Sequence, residues 1–481
     1  MNIARSSPAA SPPIAAIATP PGRGGIGVVR VSGADLDALI AGIAGRRLSP
    51  RVATRVTFRD AHGGAIDAGL ALYFPGPHSY TGEDVVEWHG HGGPVVMRLL
   101  VARCIELGAR PAEPGEFTKR AFLNGKLDLA QAESVADVIE AATASAVRAA
   151  ARSLTGEFSR EVNALRDALI DLRMYTEATL DFPDEDLDVL REGDVRARLG
   201  SIRARLGDVL ARSRRGSALR EGLTVVLVGA PNVGKSSLLN RLVRDDAAIV
   251  TSIPGTTRDT IERQVEIAGI PLRIVDTAGL RPTTDPVEAL GIARTRAAIQ
   301  RADLALLMVD ARDDDDESVG VGALPDPAPA RGSRTSSIEQ RIAALAHELP
   351  AALPRIIVHN KCDLGGIAPH VESRAGVASA VWLCALTGEG VDALEAEVKR
   401  VAGVEHDTED AFFARARHLA ALNDAAEHLR AAAVHADRAA PPIELFAEDL
   451  RLAQNAFSAI TGEFTADDLL GEIFSRFCIG K

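Results

Sequence analysis

A glycine-rich segment near the middle of the chain, GAPNVGKS at residues 229–236, carries the residue types of a phosphate-binding loop. It follows an apolar run at residues 223–228, which predicts a buried strand, and it precedes residues with the pattern of a helix start. In such a loop the backbone N–H groups cradle phosphates, Lys235 reaches the outer phosphates, and the Ser236 hydroxyl ligates Mg²⁺. An ordinary glycine turn is the alternative, but the flanking elements are those that the motif requires. The segment therefore predicts a nucleotide-phosphate site.

Three further motifs indicate that the nucleotide is GTP. A DTAG motif ends an apolar run and places the Asp276 carboxylate where it can hold Mg²⁺ through water. In an NKCD motif, Asp363 offers two acceptors to the N1–H and 2-amino donors of guanine, an edge that adenine does not present. Between these motifs, Thr256 and Thr257 lie in a polar loop that can close over the γ-phosphate and Mg²⁺. Four motifs in this order are specific to GTPases. The predicted GTP contacts are Asn232, Val233, Gly234, Lys235, Ser236, Ser237, Thr256, Thr257, Asp276, Thr277, Ala278, Gly279, Asn360, Lys361 and Asp363, in a GTPase domain at residues 219–402.

The residue that orients the attacking water departs from the Ras pattern. Ras-like GTPases place a glutamine directly after the DTAG motif, and this chain has Leu280 there. Glu288 is the acidic residue best placed just beyond that segment. Taken alone, its position fits a solvated loop carboxylate better than a catalytic group.

Composition and charge exclude several classes of protein. The 481 residues carry a formal net charge of −12, which argues against a general basic surface for nucleic acid. A local patch remains possible on a predicted helix at residues 194–220, which holds eight arginines; a solvated helix face is the alternative. The four cysteines have no paired spacing, which fits a reducing cytosol better than disulfides or zinc. No apolar run has the length of a membrane span, so we expect a cytoplasmic protein.

Outside the GTPase domain the chain predicts two other kinds of structure. Residues 1–125 predict a small α/β domain, in which Arg30 and Glu87 lie within apolar strands and therefore need a partner or a ligand. A glycine loop is predicted at residues 89–93, and its two histidines fit loop residues better than a zinc pair. Helical periodicity begins at Lys126 and returns after the GTPase domain. This organisation predicts one helical domain, residues 126–218 and 403–481, interrupted by an inserted GTPase whose residues 311–335 form a disordered loop.

Taken together, these motifs resemble those of one family. They are ATPPGRGG at residues 18–25, SYTGED at 79–84, GHGGP at 90–94, PGEF at 114–117, RAFLNGKLD at 120–128, the GTPase set, ITGEF at 460–464 and CIGK at the C-terminus. The chain is similar to the MnmE (TrmE) family of tRNA modification GTPases from about residue 14 to its end. The resemblance implies a multidomain α/β and all-α fold: an N-terminal α/β folate-binding and dimerisation domain, a discontinuous helical domain and an inserted Ras-like P-loop GTPase domain.

The resemblance also implies a function with several partners. Family members form homodimers and act with a flavin-dependent partner, MnmG, which carries FAD. Together they build a carboxymethylaminomethyl or aminomethyl group on carbon 5 of the wobble uridine of certain tRNAs. The one-carbon unit comes from a tetrahydrofolate derivative, whose family contacts fall on Arg30, Glu87, Lys126 and Lys481. Glu87 could accept from the pterin's amino donors, and the basic groups could meet oxygens or the glutamate tail.

For the GTPase domain, the resemblance implies a potassium-dependent reaction in which K⁺ supplies the charge that an arginine finger gives elsewhere. The ion falls on Asn232, Thr251, Ile253 and Thr256, and Mg²⁺ on Ser236 and Thr257. The potassium loop adds Thr251, Ser252, Ile253, Pro254 and Gly255 to the GTP contacts, and a guanine-supporting segment adds Cys384, Ala385 and Leu386. The resemblance assigns the catalytic glutamate to Glu288. The CAL triplet replaces the usual Ser-Ala-Lys type, a departure that predicts slightly weaker guanine affinity.

Two other classes of protein share the GTPase motifs. A ribosome-assembly or RNA-remodelling GTPase would bind RNA without modifying it, and a structural switch would act only through a partner. The acidic net charge and the absence of a basic RNA module argue against the first. Folate binding by the N-terminal domain would separate the tRNA-modifying function from both.

Overall fold

The computed structural model describes residues 12–181, 194–245, 262–267, 269–276, 299–312, 342–343, 345–347, 349–351, 353–373, 378–404, 410–438, 442–462, 467–475 and 477–480. These residues divide into two compact units. The described parts of Met1–Ile139, Arg152–Leu206 and Ala421–Lys481 form the first unit, and those of Glu140–Ala151 and Gly207–Ala420 form the second. The domain boundaries predicted from the sequence stay predictions.

The first unit contains a sheet of alternating apolar strands near the N-terminus. Its strands are β1 Ile14–Ile17, β2 Gly24–Gly33, β3 Thr54–Arg59, β4 Ala65–Phe74, β5 Asp84–Gly92 and β6 Arg110–Pro111, in the order β3-β4-β5-β2-β1-β6. The pairs are antiparallel except β1 with β6. Helices α1 (Asp37–Ala44) and α2 (Pro94–Glu106) cover an apolar core that includes Trp88 and Phe58, whose rings meet edge to face. This arrangement confirms the predicted α/β domain.

One local prediction in this sheet is wrong. The glycine-rich residues 89–92 continue β5 instead of forming a loop. They pair with two neighbouring strands, and a Cβ on Gly69 of β4 would lie 2.0 Å from the carbonyl oxygen of His89. Glycine therefore serves close packing between strands here, which is its other common use besides turns.

The helices of the first unit come from both sides of the GTPase motifs. They include α3 Glu116–Leu123, α4 Leu129–Glu140, α6 Glu157–Asp181, α11 Ile443–Thr461 and α12 Asp467–Ser475, while α5 Ala144–Leu154, α7 Asp194–Glu221 and α10 Ala416–Ala436 extend into the second unit. The long helices α6 and α11 pack together, and Arg173 Nη1 donates to Gln454 Oε1 at 2.8 Å. Residues far apart in sequence thus form one helical assembly, as predicted. Helix α10 begins at Ala416, after residues 411–414, which are buried in non-helical chain.

The second unit contains a mostly parallel sheet. Its strands are β7 Leu223–Gly229, β8 Glu262–Ile267, β9 Ile270–Asp276, β10 Leu304–Asp310, β11 Arg355–Asn360, β12 His370–Ser373 and β13 Ala378–Leu383, in the order β12-β13-β11-β10-β7-β9-β8. The outer pairs β8–β9 and β12–β13 are antiparallel. Helices α8 (Lys235–Asp245) and α9 (Val391–Val401) belong to the same unit. Because parallel strands end at one edge, the residues that follow β7, β10, β11 and β13 collect there.

Within the described residues, the helices are all too short or too polar to cross a membrane. All four cysteines are free thiols: Cys104, Cys362 and Cys384 are buried, and Cys478 is exposed.

Candidate functional site

The phosphate loop joins β7 to α8, as the sequence predicts. Gly234 has a φ of +104°, and a Cβ there would lie 2.1 Å from Asn360 Nδ2. Both the backbone conformation and the lack of space therefore exclude a side chain. At Gly229 a side chain is excluded by lack of space alone, since a Cβ there would lie 2.7 Å from the carbonyl oxygen of Met308 on β10. Asn232 has a φ of +62°, a conformation that asparagine tolerates better than most residues. The two glycines let the loop turn against neighbouring strands.

Helix α8 begins at Lys235, so its first N–H groups and the positive end of its dipole face the loop. The Lys235 amine donates to the carbonyl oxygens of Gly229 at 2.7 Å and Ala230 at 2.9 Å, which holds it across the loop. Ser236 and Ser237 are exposed in the first turn of the helix. An ammonium, helix N–H groups and an exposed hydroxyl are the groups that bind phosphates and a hard cation.

Asn360 connects the phosphate loop to the two segments predicted to recognise the base. Its Nδ2 donates to the Val233 carbonyl at 2.8 Å, and its Oδ1 accepts from the Ala385 N–H at 2.9 Å. The side chain is only 2% exposed, so both bonds are shielded from water. Asn360 braces the site, and the exposed Asp363 is the residue available to a ligand's edge.

Lys361 and its carboxylate partner form a close charged contact in the site. Lys361 has a φ of +64°, and its Nζ lies 2.6 Å from Asp310 Oδ2. Arg312 binds the same carboxylate through its guanidinium and its backbone N–H. Burial alone would raise the pKa of Asp310, but hydrogen bonds from Arg312 and Lys361 outweigh it and lower the pKa to about 2. Sequence reasoning missed Asp310, although it ends an apolar strand as Asp276 does.

The segment after β13 lies at the same edge of the sheet and contacts helix α8. Cys384 Sγ accepts from the Thr387 N–H at 3.5 Å, which is a sulfur contact of the kind that a serine oxygen makes. Leu386 is 77% exposed, and its carbonyl oxygen accepts from Arg241 of α8. Although the CAL triplet departs from the usual Ser-Ala-Lys type, the loop is still attached to both the sheet and α8.

Several predicted site residues lie outside the described residues. They are Thr251, Ser252, Ile253, Pro254, Gly255, Thr256, Thr257, Thr277, Ala278, Gly279, Glu288 and Lys481; the predicted loop at residues 311–335 also lies outside them from residue 313 onward. Asp276 is the last residue of β9, at the edge where the phosphate loop begins.

A second group of predicted residues lies in the N-terminal sheet. Arg30 on β2 and Glu87 on β5 are directly opposite in register, and Arg30 Nη2 lies 2.9 Å from Glu87 Oε1. The Arg30 guanidinium is 5.6 Å from the ring centre of Tyr80 and 5.8 Å from that of Phe117. Both charged side chains keep some exposure, 25% and 17%. The pair satisfies each charge and still leaves it open to a ligand.

The two histidines of β5 each meet a carboxylate. His89 Nε2 lies 3.1 Å from Glu87 Oε2, and His91 Nδ1 lies 2.8 Å from Asp67 Oδ1. Burial works to raise the pKa of Asp67, but the His91 backbone and side chain lower it overall. Among the described residues, no group of three or more His, Cys, Asp or Glu side chains has the arrangement of a metal site.

Of the remaining folate candidates, Lys126 lies within the described residues and Lys481 does not. Lys126 Nζ donates to the carbonyl oxygen of Pro77 at 3.0 Å and is exposed. At the C-terminus, the Gly115 N–H donates to the Cys478 carbonyl at 3.4 Å, and a Cβ on Gly480 would lie 2.3 Å from the Ile17 carbonyl. The tail that leads to Lys481 therefore lies against β1, next to the strand that carries Arg30.

Three arginines of α7 make contacts within the chain. Arg205 pairs with Glu161 at 2.8 Å, Arg196 donates to the Ala436 carbonyl at 2.6 Å, and Arg212 lies over the Phe412 ring at 3.9 Å. These three arginines therefore take part in helix packing and do not form a continuous basic surface for a phosphate backbone.

A nucleotide-phosphate loop between β7 and α8, with an NKCD segment joined to it through Asn360, defines a P-loop GTP-binding domain. Comparison with known proteins identifies the family to which the rest of the chain is similar. The family model "GTP-binding protein TrmE N-terminus" matches residues 13–126, and "MnmE helical domain" matches residues 129–478.

Relatives of known name match along nearly the full length. The tRNA modification GTPase MnmE of Azoarcus sp. (strain BH72) is 55% identical over 99% of this chain and 100% of its own. That of Ralstonia nicotianae is 56% identical over 99% of this chain and 98% of its own. Among solved structures, the FeoB G-domain of Methanococcus jannaschii covers 37% of this chain and 97% of its own, at 22% identity and a TM-score of 0.24. Because these sequence relatives match along nearly the full length, the chain belongs to the MnmE (TrmE) family of tRNA modification GTPases. This confirms the predicted family and fold class.

Proposed function

We propose that this protein hydrolyses GTP in a potassium-dependent reaction and, with a flavin-dependent MnmG-type partner, modifies carbon 5 of the wobble uridine of certain tRNAs. The observation that carries the proposal is the 55% identity to a tRNA modification GTPase over 99% of the chain. The braced phosphate loop gives the GTPase part a physical basis, because it joins the predicted phosphate and guanine contacts through one buried side chain.

The proposed hydrolysis site includes the phosphate loop, the segment before β8 and the segment after β9. Ser236 and Thr257 would hold Mg²⁺, which supplies positive charge to the phosphates. Asn232, Thr251, Ile253 and Thr256 would hold K⁺. The exposed Asn232 side chain, on a loop residue with positive φ, supports that assignment.

Hydrolysis also needs a group that orients water, and the side chain of Leu280 has no polar atom for this. Glu288 is proposed for this role, as the family resemblance implies. A carboxylate accepts a proton or a hydrogen bond from the attacking water, which favours in-line attack on the γ-phosphate.

The N-terminal sheet is proposed to bind a tetrahydrofolate derivative, such as 5-formyl- or 5,10-methylene-tetrahydrofolate. The support is the partly exposed Arg30–Glu87 pair beside the Tyr80 and Phe117 rings. A flat pterin can stack near the rings while Glu87 accepts from its amino group. Lys126 and Lys481 would meet the folate's acidic tail, and the path of the C-terminal residues past Ile17 supports the second of these contacts.

Homodimer formation through the N-terminal domain is part of the same proposal. Helix α2 exposes Val95, Leu99 and Ile105 at 58%, 49% and 39%, while its buried residues cover the sheet core. Ile26 on β2 is 69% exposed. Apolar surface of this kind supports a protein interface. FAD would be bound by the MnmG-type partner alone, tRNA would be bound by the complex, and the location would be cytoplasmic.

The proposed function is tested by nucleoside analysis of tRNA from cells that lack this protein. Wobble uridines are expected to lose the aminomethyl-type modification and to regain it when the gene is returned. A Lys235→Ala variant, which removes the phosphate-binding amine, is expected not to restore it. Unchanged nucleosides in the deletion strain would refute the proposed function.

A further inference from the structure

Two cationic side chains meet one loop of the N-terminal sheet, at residues 76–84. Arg51 donates from Nη2 to the carbonyl oxygen of His78, and Lys126 Nζ donates to that of Pro77 at 3.0 Å. Both cationic residues are exposed. The two acceptors belong to consecutive residues, whose Cα atoms are about 3.8 Å apart, so the two cations are close neighbours. The loop therefore carries a pair of exposed positive charges.

Arg51 is held in place by neutral groups. Its backbone N–H donates to the Tyr73 carbonyl at 2.8 Å, and its guanidinium lies 5.7 Å from the ring centre of Phe74. Its φ of +59° is uncommon for a residue other than glycine, asparagine or aspartate. Asp84, an acidic residue of the loop, accepts from the Tyr73 hydroxyl at 2.8 Å. Within the described part of the chain, neither Arg51 nor Lys126 is paired with a carboxylate. Two ordered charges of this kind attract an anion.

We propose that Arg51, together with Lys126, binds the γ-linked glutamate chain of a folate, so that a polyglutamylated tetrahydrofolate is the preferred one-carbon carrier. The inference rests on the tetrahydrofolate site proposed above and names the form of the ligand. A folate carries one glutamate or a chain of them, and every added glutamate contributes one further carboxylate. In this arrangement Lys126 meets the first glutamate and Arg51 meets a later one.

The loop connects the cation pair to the proposed pterin position. Tyr80, whose ring centre lies 5.6 Å from the Arg30 guanidinium, comes three residues after Pro77. Three residues of chain span at most about 11 Å, a distance comparable to the aminobenzoyl bridge between a pterin and its glutamate. A folate whose pterin lies beside Arg30 can therefore extend its tail along the loop to the two cations.

Two of the sequence motifs fix the position of Lys126 in this arrangement. Asn124 Nδ2 donates to the Thr81 carbonyl at 2.7 Å, which joins the RAFLNGKLD segment to the SYTGED loop. Gly82 has a φ of +82°, and a Cβ there would lie 3.4 Å from Lys126 Cγ. The lysine stem thus packs closely against the loop. Cations that are ordered before binding lose less conformational entropy when the ligand arrives, which favours affinity.

Isothermal titration calorimetry of the full-length protein tests the preference. The two probes are the monoglutamate and the pentaglutamate of 5-formyl-tetrahydrofolate. The pentaglutamate is expected to bind about fivefold more tightly, the upper effect of one exposed ion pair. High salt should reduce the ratio of the two Kd values, because exposed charges are screened. Equal Kd values at low salt would refute the inference.

Replacement of Arg51 shows whether its charge carries the preference. Arg51→Gln keeps a long side chain that can still donate to the His78 carbonyl, and it removes the charge. It is expected to bring the ratio of the two Kd values close to one, while the Kd for the monoglutamate changes by less than about twofold. Arg51→Lys retains the charge and should keep most of the preference. Loss of the preference in both variants would indicate a damaged loop and overturn the proposal.

Arg59→Gln is the matched control. Arg59 is an exposed arginine of the same sheet, and its guanidinium also donates to a loop carbonyl, that of Gly63 at 3.1 Å. The substitution is expected to leave both Kd values unchanged. If it lowers their ratio as Arg51→Gln does, the preference comes from general charge and the proposal is wrong.

Binding of tRNA by the same variants separates the glutamate chain from the other polyanion that a cation pair can hold. Arg51→Gln is expected to leave the Kd for tRNA unchanged. A weaker tRNA complex with an intact pentaglutamate preference would assign Arg51 to RNA phosphates and overturn the proposal. Failure of the unaltered protein to bind either folate would refute the proposed folate site, whereas equal binding of both would refute this inference alone.

Discussion

The hydroxyl of Thr143 donates a hydrogen bond to the carbonyl oxygen of Gly269 at 2.9 Å. Thr143 also caps helix α5, since its oxygen accepts from the Ala146 N–H at 3.1 Å. Gly269 is the turn between β8 and β9, and β9 ends at Asp276. The start of a helix is thus attached to the hairpin that leads into the predicted Mg²⁺ motif.

The contact predicts a specific cost for a side chain at the turn. Gly269 has a φ of +87°, and a Cβ there would lie 2.6 Å from Ser145 Oγ. Gly366 has a φ of +65° with no atom within 4 Å of its Cβ position, so it is the matched control for backbone strain alone. Gly366→Ala should cost about 1 kcal/mol of stability and Gly269→Ala about twice that. Thermal denaturation measures both, and equal midpoints would show that the contact with Ser145 adds nothing.

Asp363 is expected to decide which base is bound. Asp363→Asn replaces an acceptor of the guanine donors by an amide that suits xanthine, whose carbon 2 carries an oxygen. The Kd for GDP should rise about a hundredfold, because a charged hydrogen-bond acceptor is lost, while XDP gains affinity. Competitive binding of the two nucleotides measures the exchange. A parallel loss of GDP and XDP would mean that the variant damages the loop instead.

Potassium should accelerate GTP hydrolysis through the side-chain oxygen of Asn232. Rates in KCl should exceed those in NaCl or LiCl at equal ionic strength, since the smaller ions fit such a site poorly. Asn232→Gly is the informative variant, because glycine accepts the φ of +62° and lacks the side-chain amide that supplies the oxygen ligand. It should abolish the potassium stimulation, and stimulation that persists would move the ion to other residues.

Glu288→Ala is expected to lower kcat for GTP about a hundredfold while the Kd for GTP stays nearly constant. This pattern identifies a group that acts mainly in the transition state. Single-turnover hydrolysis and equilibrium binding provide the two numbers. Joint loss of binding and turnover would indicate a structural role for this glutamate.

The Asp310 contacts predict how stability depends on pH. The pKa of Asp310 is lowered to about 2 in the folded chain, against about 3.9 for an unperturbed aspartate. The stabilising effect of its charge is therefore complete above pH ~3.9 and is lost as the pH falls towards 2. Urea denaturation of the unaltered protein and of Asp310→Asn should differ most at neutral pH and converge in acid. A difference that stays constant down to pH ~3 would contradict the lowered pKa.

Features encoded by neighbouring residues could be read from the sequence alone. The phosphate loop is of this kind, because an apolar strand, two glycines and a helix start follow one another directly. The strand positions of Arg30 and Glu87 could also be predicted, since a charged residue in an apolar alternating segment is visible without any partner. The family followed from these motifs and from the order in which they occur.

Partners depend on strand register and packing, so only the tertiary structure decided them. Asn360 bonds to Val233, 127 residues away, and Lys361 bonds to Asp310, 51 residues away. Nothing near Asp310 in sequence distinguishes it from other residues at strand ends. The same reason explains the error at β5, where glycines that suggest a loop let neighbouring strands approach closely. Local sequence determines which backbone conformations are favourable, whereas the energy of a buried charge or a close approach depends on atoms that folding brings from elsewhere in the chain.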